Sequence, residues 1–188
     1  IGDKDNKNTI TGYRHSGGII GLTSCNTSID NCLIENYEMI TDEAGEDVGG
    51  IVGKINDKKS TLIVKNSKIS NCTIKISDNK SKNGEGTYSG GIVGKMAKDS
   101  CFYGYNIALD NVQFINNENS KAGAGEICGY MQNNTKVKVV GISARKGESG
   151  SPANIISKKD NINTALSLCI YADYNGSCLD EPAANKEA

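Results

Sequence analysis

Large aromatic side chains and prolines are scarce in this chain of 188 residues. It has no Trp, two Phe and two Pro, and both prolines, Pro152 and Pro182, lie late in the sequence. A chain of this length buries a sizeable core, which must then be built from Ile, Val, Leu, Ala, Cys and Gly. The 22 Gly and the frequent Asn tolerate left-handed backbone at bends. With β-branched residues between them, they predict many short strands joined by tight turns.

Histidine and arginine are nearly absent, which excludes several functional classes. The chain has one His, His15, and two Arg, Arg14 and Arg145. Without a C-x-x-C motif or a second His, no structural zinc site is expected, and we predict no other metal or cofactor. Proteins that bind phosphate chains use arginine forks and a basic face, whereas the formal net charge here is −1. We therefore predict no nucleic-acid partner.

Long apolar runs are also missing. No segment approaches the roughly 20 apolar residues that span a bilayer, so no membrane insertion is expected. The chain opens with Ile1-Gly2-Asp3-Lys4, which has none of the features of a signal peptide. We interpret the sequence as a piece of a longer protein with neighbouring domains.

Seven cysteines are present, an odd number that cannot all pair within one chain. We expect most of them to be small buried side chains with free thiols. Cys169 and Cys178 are the best candidates for a disulfide, because Tyr174-Asn175-Gly176 between them can turn the chain back. The others are Cys25, Cys32, Cys72, Cys101 and Cys128.

One glycine-rich phrase recurs four times. Its starts, at residues 17, 49, 90 and 125, are separated by 32, 41 and 35 residues. The glycines permit sharp turns or a close approach to a neighbouring segment, and the Ile-Val pair between them is typical of a short buried strand. The last copy matches the others less closely, because it contains Glu126 and Cys128. The repeat glycines are Gly17, Gly18, Gly21, Gly49, Gly50, Gly53, Gly90, Gly91, Gly94, Gly125 and Gly129.

A second phrase lies between the glycine phrases, with copies that begin at Ile29, Ile69 and Leu109. These copies are 40 residues apart and keep the same order relative to the glycine phrases, which indicates a structural repeat. If the repeats stack in register, equivalent Asn side chains at bends form a hydrogen-bonded ladder beside an interior column of small residues. The expected ladder is Asn31, Asn71 and Asn111, and the expected column is Cys32, Cys72 and Val112. Asn134 is expected in a loop.

The predicted fold class is all-β, a parallel β-helix or β-solenoid built from about four imperfect repeats of 32–41 residues. Helices are disfavoured because Gly, Asn, Thr and Ile are weak helix formers and no long stripe of period 3.6 is present. A propeller is the alternative, but its blades usually carry aromatic signatures that are scarce here. We expect a repeat region at 1–142, an irregular excursion with a capping strand at 143–180, and a disordered tail at 181–188.

The two interleaved phrases resemble the GLUG-type repeat of bacterial cell-surface proteins over about residues 10–140. Such repeats occur in adhesin-like proteins and in non-catalytic parts of immunoglobulin A-specific metalloendopeptidases. The resemblance implies an extracellular or cell-surface location. It carries over no catalytic residue, since those proteases bind their metal through a His-Glu-x-x-His motif and this chain has one His.

No active site is predicted. His15 lies beside Ser16 but lacks a third catalytic partner, and Asp30 and Asp110 stand two repeats apart, too far for the paired carboxylates of polysaccharide-cleaving enzymes. The acidic loop at 42–47 matches no calcium-loop spacing, so we expect it to be solvated. We predict a non-enzymatic structural or adhesive module that binds a host or cell-surface glycan or protein. An accessory domain of a secreted protease and a fragment of a carbohydrate-active β-helix enzyme are the alternatives.

Overall fold

The computed structural model describes residues 8–12, 14–41, 47–76, 88–116, 123–125, 127–132, 134–145 and 171–173. Within these ranges the chain is all-β, with 18 strands and no helix. Consequently, none of the described segments is a helix long and apolar enough to cross a membrane.

The first 17 strands fall into four successive repeats. Repeat 1 contains β1 (Asn8–Gly12), β2 (His15–Gly17), β3 (Ile20–Thr23), β4 (Thr27–Asp30) and β5 (Leu33–Glu35). Repeat 2 contains β6 (Tyr37–Thr41), β7 (Asp47–Gly49), β8 (Val52–Ile55) and β9 (Thr61–Ser70). Repeat 3 contains β10 (Thr73–Ile76), β11 (Tyr88–Gly90), β12 (Val93–Met96) and β13 (Cys101–Asp110). Repeat 4 contains β14 (Gln113–Asn116), β15 (Gly123–Gly125), β16 (Cys128–Met131) and β17 (Lys136–Arg145), and β18 (Tyr171–Asp173) follows it.

Four sheets each take strands from all four repeats. Sheet 1 has the order β1-β6-β10-β14, sheet 2 the order β2-β7-β11-β15, and sheet 3 the order β3-β8-β12-β16. Sheet 4 has the order β4-β9-β13-β17-β18, with β5 also paired to β9. Neighbouring repeats pair in parallel, and only the β17–β18 pair is antiparallel among the described strands. A propeller blade takes its strands from a single repeat, so this topology is compatible with a parallel β-helix and not with a propeller.

The glycine phrases align in register in sheet 2. Gly17 pairs with Gly49, Gly49 with Gly90, and Gly90 with Gly125. The expectation that Ile-Val forms one strand is wrong, because Ile51 lies in the bend between β7 and β8 and the next strand begins at Val52. The chain folds back so tightly at this bend that sheets 2 and 3 pack backbone against backbone.

The second phrase aligns differently from the prediction. Ile69 pairs with Leu109 as expected, but its partner in repeat 1 is Ile34 rather than Ile29, which pairs with Val64. Repeat 1 has two bends five residues apart, each preceded by a buried Ile, so the sequence match selected the wrong one. For the same reason Asp30 and Asp110, which each follow the first apolar residue of the phrase, are not equivalent, since Asp30 pairs with Lys65 and Asp110 with Ser70.

The core lies between the four sheets and is aliphatic, as the composition predicts. Phe102 is the one aromatic among the largest fully buried side chains of the described residues. Its ring lies beside Gly104, where an added Cβ would be 3.0 Å from Phe102 Cζ. The glycine therefore makes room for the ring in an interior otherwise filled by Ile, Val, Leu and Met.

The C-terminal boundaries are only partly within the described residues. Strand β17 continues to Arg145, so the boundary expected after residue 142 falls inside a strand. Strand β18 pairs with β17 and extends sheet 4. The remainder of 146–188, including the expected tail and the Cys169–Cys178 pair, lies outside the described residues.

Candidate functional site

Asparagines with left-handed backbone form two rows along the long sheet 4. In the first row, Asn106 Nδ2 donates to Asn66 Oδ1 and Asn66 Nδ2 donates to Asp30 Oδ1, each over 3.0 Å. In the second row, Asn111 Nδ2 donates to Asn71 Oδ1 over 3.0 Å. The φ angles, between 46° and 58°, are positive at Asn31, Asn36, Asn66, Asn71, Asn106 and Asn111.

The predicted hydrogen-bonded row of asparagines is therefore present, but one of its three predicted members is wrong. The structure brings Asn71 and Asn111 together, but Asn31 belongs to the other row, since its backbone N–H donates to the Lys65 carbonyl. Asn36 takes the position expected for Asn31, and its N–H donates to the carbonyl of Ser70.

The predicted cysteine column is displaced in the same way. Cys72 is fully buried and lies in register with buried Val112, as expected. Cys32 is only half-buried, and its backbone N–H donates to Ser67 Oγ. Burial raises the pKa of the Cys128 thiol to about 12, which makes that cysteine unreactive as a nucleophile. Free thiols are found at all described cysteines, namely Cys25, Cys32, Cys72, Cys101 and Cys128.

The outward face of sheet 4 carries tyrosine and lysine side chains in rows. Strand β13 alternates buried Phe102 with half-buried Tyr103 and Tyr105, as a strand with one face to the core must. Tyr103 pairs in register with Lys138, and Tyr105 with Lys65. The Lys65 ammonium lies 5.7 Å from the centre of the Tyr105 ring, within cation–π range.

We call this surface the lysine–tyrosine face. It consists of the outward residues of the first halves of three neighbouring strands, which are Thr61, Ile63, Lys65, Cys101, Tyr103, Tyr105, Lys136, Lys138 and Val140. None of these residues was predicted from the sequence to belong to a binding surface. The alternation from Cys101 to Tyr105 was the signal that could have identified the outward tyrosines.

The lysine–tyrosine face has a regular arrangement of side chains. Parallel strands lie about 4.8 Å apart, so side chains of successive repeats form evenly spaced rows across the strands. Burial raises the pKa of the Tyr103 hydroxyl, with a smaller contribution from nearby Cys101. Tyr103 is therefore a neutral hydrogen-bonding group at physiological pH, and the charge of the face comes from its lysines.

A second cluster lies where sheets 2 and 3 meet. His15 pairs in register with Asp47, and His15 Nδ1 lies 2.9 Å from Asp47 Oδ2, although the approach lacks hydrogen-bond geometry. Asp47 is fully buried, and burial raises the pKa of its carboxyl, while His15 and the ammonium groups of Lys95 and Lys54 oppose that shift.

Two aromatic rings complete this cluster. The rings of Tyr88 and Tyr130 stack with their centres 4.3 Å apart. Buried Lys95 lies 5.5 Å from the first ring centre and 5.7 Å from the second. Sequence reasoning placed Asp47 in a solvated acidic loop, which is wrong for this residue, and the rest of that loop lies outside the described residues. The repeat could have indicated that these residues lie together, since His15, Asp47 and Tyr88 each stand two residues before the first glycine of a phrase.

The cluster does not have the geometry of a catalytic triad. Successive residues of a strand point to opposite faces, so Ser16 is directed away from the side on which His15 meets Asp47. Ser16 Oγ makes no hydrogen bond to any residue that the structure describes. Nor do the described side chains group three His, Cys, Asp or Glu residues into a metal site.

The two carboxylates considered for polysaccharide cleavage have other partners. Asp30 accepts the amide of Asn66 at a corner of sheet 4. Asp110 lies 3.1 Å from the Lys68 ammonium in a partly exposed ion pair. Asp30 lies at the end of the edge strand β4 and Asp110 at the end of the central strand β13, so the two do not form an acid–base pair.

Comparison with known proteins gives no further assignment, because no family model, no curated protein and no solved structure matches this chain.

Proposed function

We propose that the chain is a parallel β-solenoid segment that serves as a non-enzymatic structural and adhesive module of a bacterial surface or secreted protein. The in-register parallel pairing of four repeats supports the solenoid, because a stack of this kind extends by adding repeats. Such a stack gives a rigid, elongated surface for a ligand.

The observation that carries the adhesive role is the lysine–tyrosine face. Tyrosine combines a large apolar ring with a polar end, which suits it to recognition surfaces. Here Tyr103 and Tyr105 stand side by side on the outward face of one long strand, between the lysines of the neighbouring strands. Both rings lie on the outward side of the strand and not in the core, so a role in binding accounts for them better than core packing does.

Catalysis is not part of this proposal. The histidine is turned toward a buried carboxylate, and the two outward aspartates of sheet 4 are separated and partnered. A cleavage reaction needs two groups that converge on one bond, and the described residues offer no such pair on a common outward face.

A binding screen tests the adhesive role. The purified chain is applied to an array of glycans and host surface proteins, and every ligand found is measured again with Tyr103→Ala, Tyr105→Ala and the control Gln113→Ala, an exposed strand residue of sheet 1. We expect both tyrosine variants to lose binding while the control retains it. Ligands that bind all three variants equally, or release of a reaction product by the wild-type chain, would contradict the proposal.

A further inference from the structure

Building on the proposed adhesive function, we infer that the lysine–tyrosine face takes an extended acidic polysaccharide, a chain of sugar units that carry carboxylates. The inference depends on three features of that face: the sign of its charge, the spacing of its rings and the polar row at its edge.

The charge of the face is positive although the whole chain is slightly negative. Its nine outward positions include Lys65, Lys136 and Lys138 and no acidic residue. Acidic residues stand on both neighbouring strands of sheet 4, where Asp30 lies in register with Lys65 and accepts from Asn66, and Asp173 lies in register with Lys136. A ligand that stays on the three strands of the face meets three lysines and no carboxylate, which favours an anionic partner.

The rings supply a stacking surface between those cations. Tyr103 and Tyr105 lie two residues apart on one strand, so their side chains are separated by about 6.6 Å along the strand. Both are half-buried, which holds each ring in place and leaves one part of it open to a ligand. The apolar face of a sugar ring can pack on such a surface while its carboxylate reaches a neighbouring lysine.

The asparagine row distinguishes a sugar chain from a nucleic acid. Asn66 and Asn106 are exposed along the edge of the face, and each amide, although bonded to its neighbour in the row, keeps a second N–H and a second oxygen lone pair for a ligand. Hydroxyl groups use both kinds of partner, whereas phosphate oxygens only accept. Phosphate chains are usually bound by arginine forks, and the nine positions of the face contain lysine and no arginine.

The test uses polygalacturonate as the anionic probe, dextran as a neutral glycan and a single-stranded oligonucleotide as the competing class of anion. Affinity is measured by titration calorimetry at low and at high salt. We expect polygalacturonate to bind at low salt and to weaken as salt rises, because exposed charges are screened. We expect no comparable binding of dextran or the oligonucleotide.

Substitutions on the lysine–tyrosine face test whether polygalacturonate binds there. Lys65→Gln combined with Lys138→Gln should weaken polygalacturonate binding about tenfold, since each exposed charge contributes modestly and two are removed. Tyr105→Leu should weaken it as well, while Lys75→Gln on sheet 1 serves as the matched control and should not. Lys65 and Lys75 are exposed, so these glutamine variants are expected to fold, and circular dichroism checks that every variant does.

The outcomes separate this inference from the function on which it depends. Binding of dextran that requires Tyr105 would overturn the acidic ligand and leave the adhesive function standing. Tighter binding of the oligonucleotide on the same lysines would replace the polysaccharide with a nucleic acid. Absence of polygalacturonate binding, or binding that the face variants do not change, would overturn the inference. If the tyrosine variants also leave every ligand of the broad screen unaffected, the adhesive function fails too.

Discussion

At the scale of single residues, asparagine sets the bends of sheet 4. Its side chain tolerates the left-handed backbone that most residues avoid, and the amide bonds to its equivalent in the next repeat. The sequence predicted the bends at Asn71 and Asn111 and the hydrogen bond between them, but it missed the row at Asn66 and Asn106 and took Asn31 in place of Asn36 in repeat 1. That choice depends on the pairing of whole strands, which the local sequence leaves open.

Substitution of Asn66, the central asparagine of the first row, measures how much such a bend contributes to stability. Asn66 donates to Asp30 and accepts from Asn106, at a φ of 46°. Asn66→Gly keeps the backbone freedom and loses the side-chain bonds, so the free energy of unfolding should fall by about 1 kcal/mol. Asn66→Ala also forces a left-handed alanine and should lose about 1 kcal/mol more.

Urea melts of both variants, with Gln113→Ala as the control, measure the effect. Asn134 lies in the loop between β16 and β17, as expected, but it is not a suitable control, because its φ of 59° makes it a left-handed turn residue as well. Equal stability of the alanine and glycine variants would show that the bend does not constrain residue 66.

The buried carboxylate of Asp47 predicts an unusual dependence of stability on pH. Burial raises its pKa above the ordinary 3.8, against the opposing effects of His15, Lys95 and Lys54. The native state therefore binds this proton more strongly than the unfolded chain, so the contribution of Asp47 to stability is lost as pH rises through the native pKa. It is restored as pH falls through that pKa toward 3.8.

Asp47→Asn isolates this contribution, because asparagine cannot ionise. Relative to the wild type, the variant should be more stable at neutral pH than it is near pH 4, as measured by urea unfolding at both values. Asp57→Asn, at an exposed position, is the matched control. A stability difference between Asp47→Asn and wild type that does not change with pH would mean that the carboxyl is not desolvated as described.

At the scale of elements, the glycine phrase brings the backbones of two sheets close together. A Cβ at Gly94 would lie 2.5 Å from the carbonyl oxygen of Gly53 and 2.7 Å from the backbone nitrogen of Val48. These are backbone atoms of sheets 3 and 2, which cannot move without separating the sheets. The sequence predicted that the glycines permit a close approach, but not that the approach joins two sheets across a bend.

Gly94→Ala should therefore destabilise the protein more than Gly104→Ala. At Gly104 the added Cβ would meet side-chain ends, Val139 Cγ1 at 2.9 Å and Phe102 Cζ at 3.0 Å, which can shift. Overpacking of this kind costs about 1–3 kcal/mol, and we place Gly94→Ala toward the upper end of that range. Thermal and urea melts rank the two variants, and an equal or smaller loss at Gly94 would contradict the packing of sheet 2 on sheet 3.

The length of the strands in sheet 4 could not be predicted from the local sequence. The sequence indicated short strands, and strands do end just before Asn31, Asn71 and Asn111, but β9 runs unbroken from Thr61 to Ser70 across Asn66. A single left-handed residue bends a strand, and parallel partners on both sides keep its backbone bonds satisfied. The lysine–tyrosine face lies on the first halves of three such strands, and its rows form because these strands align in register.

At the scale of the whole molecule, composition was enough to predict an all-β chain with an aliphatic core. The order of the repeats and the register of the glycine phrases also followed from the sequence, since identical phrases stack most easily on one another. The lysine–tyrosine face and the cluster around His15 and Asp47 could not be predicted from the sequence. They arise between residues more than 30 positions apart, such as His15 and Asp47, which meet only after the repeats have stacked.

Stacking of the four repeats in register is the central claim, and one distance tests it. Ser28, Ile63, Tyr103 and Lys138 form a single row across sheet 4, so residues 28 and 138 are separated by three strand spacings. At about 4.8 Å per spacing this is about 14 Å. Spin labels introduced at these two positions as unnatural amino acids, which avoids the native cysteines, report the separation by electron paramagnetic resonance. The stacked repeats predict one narrow distribution at short range, broadened only by the label linkers, and a broad or much longer distribution would contradict the account.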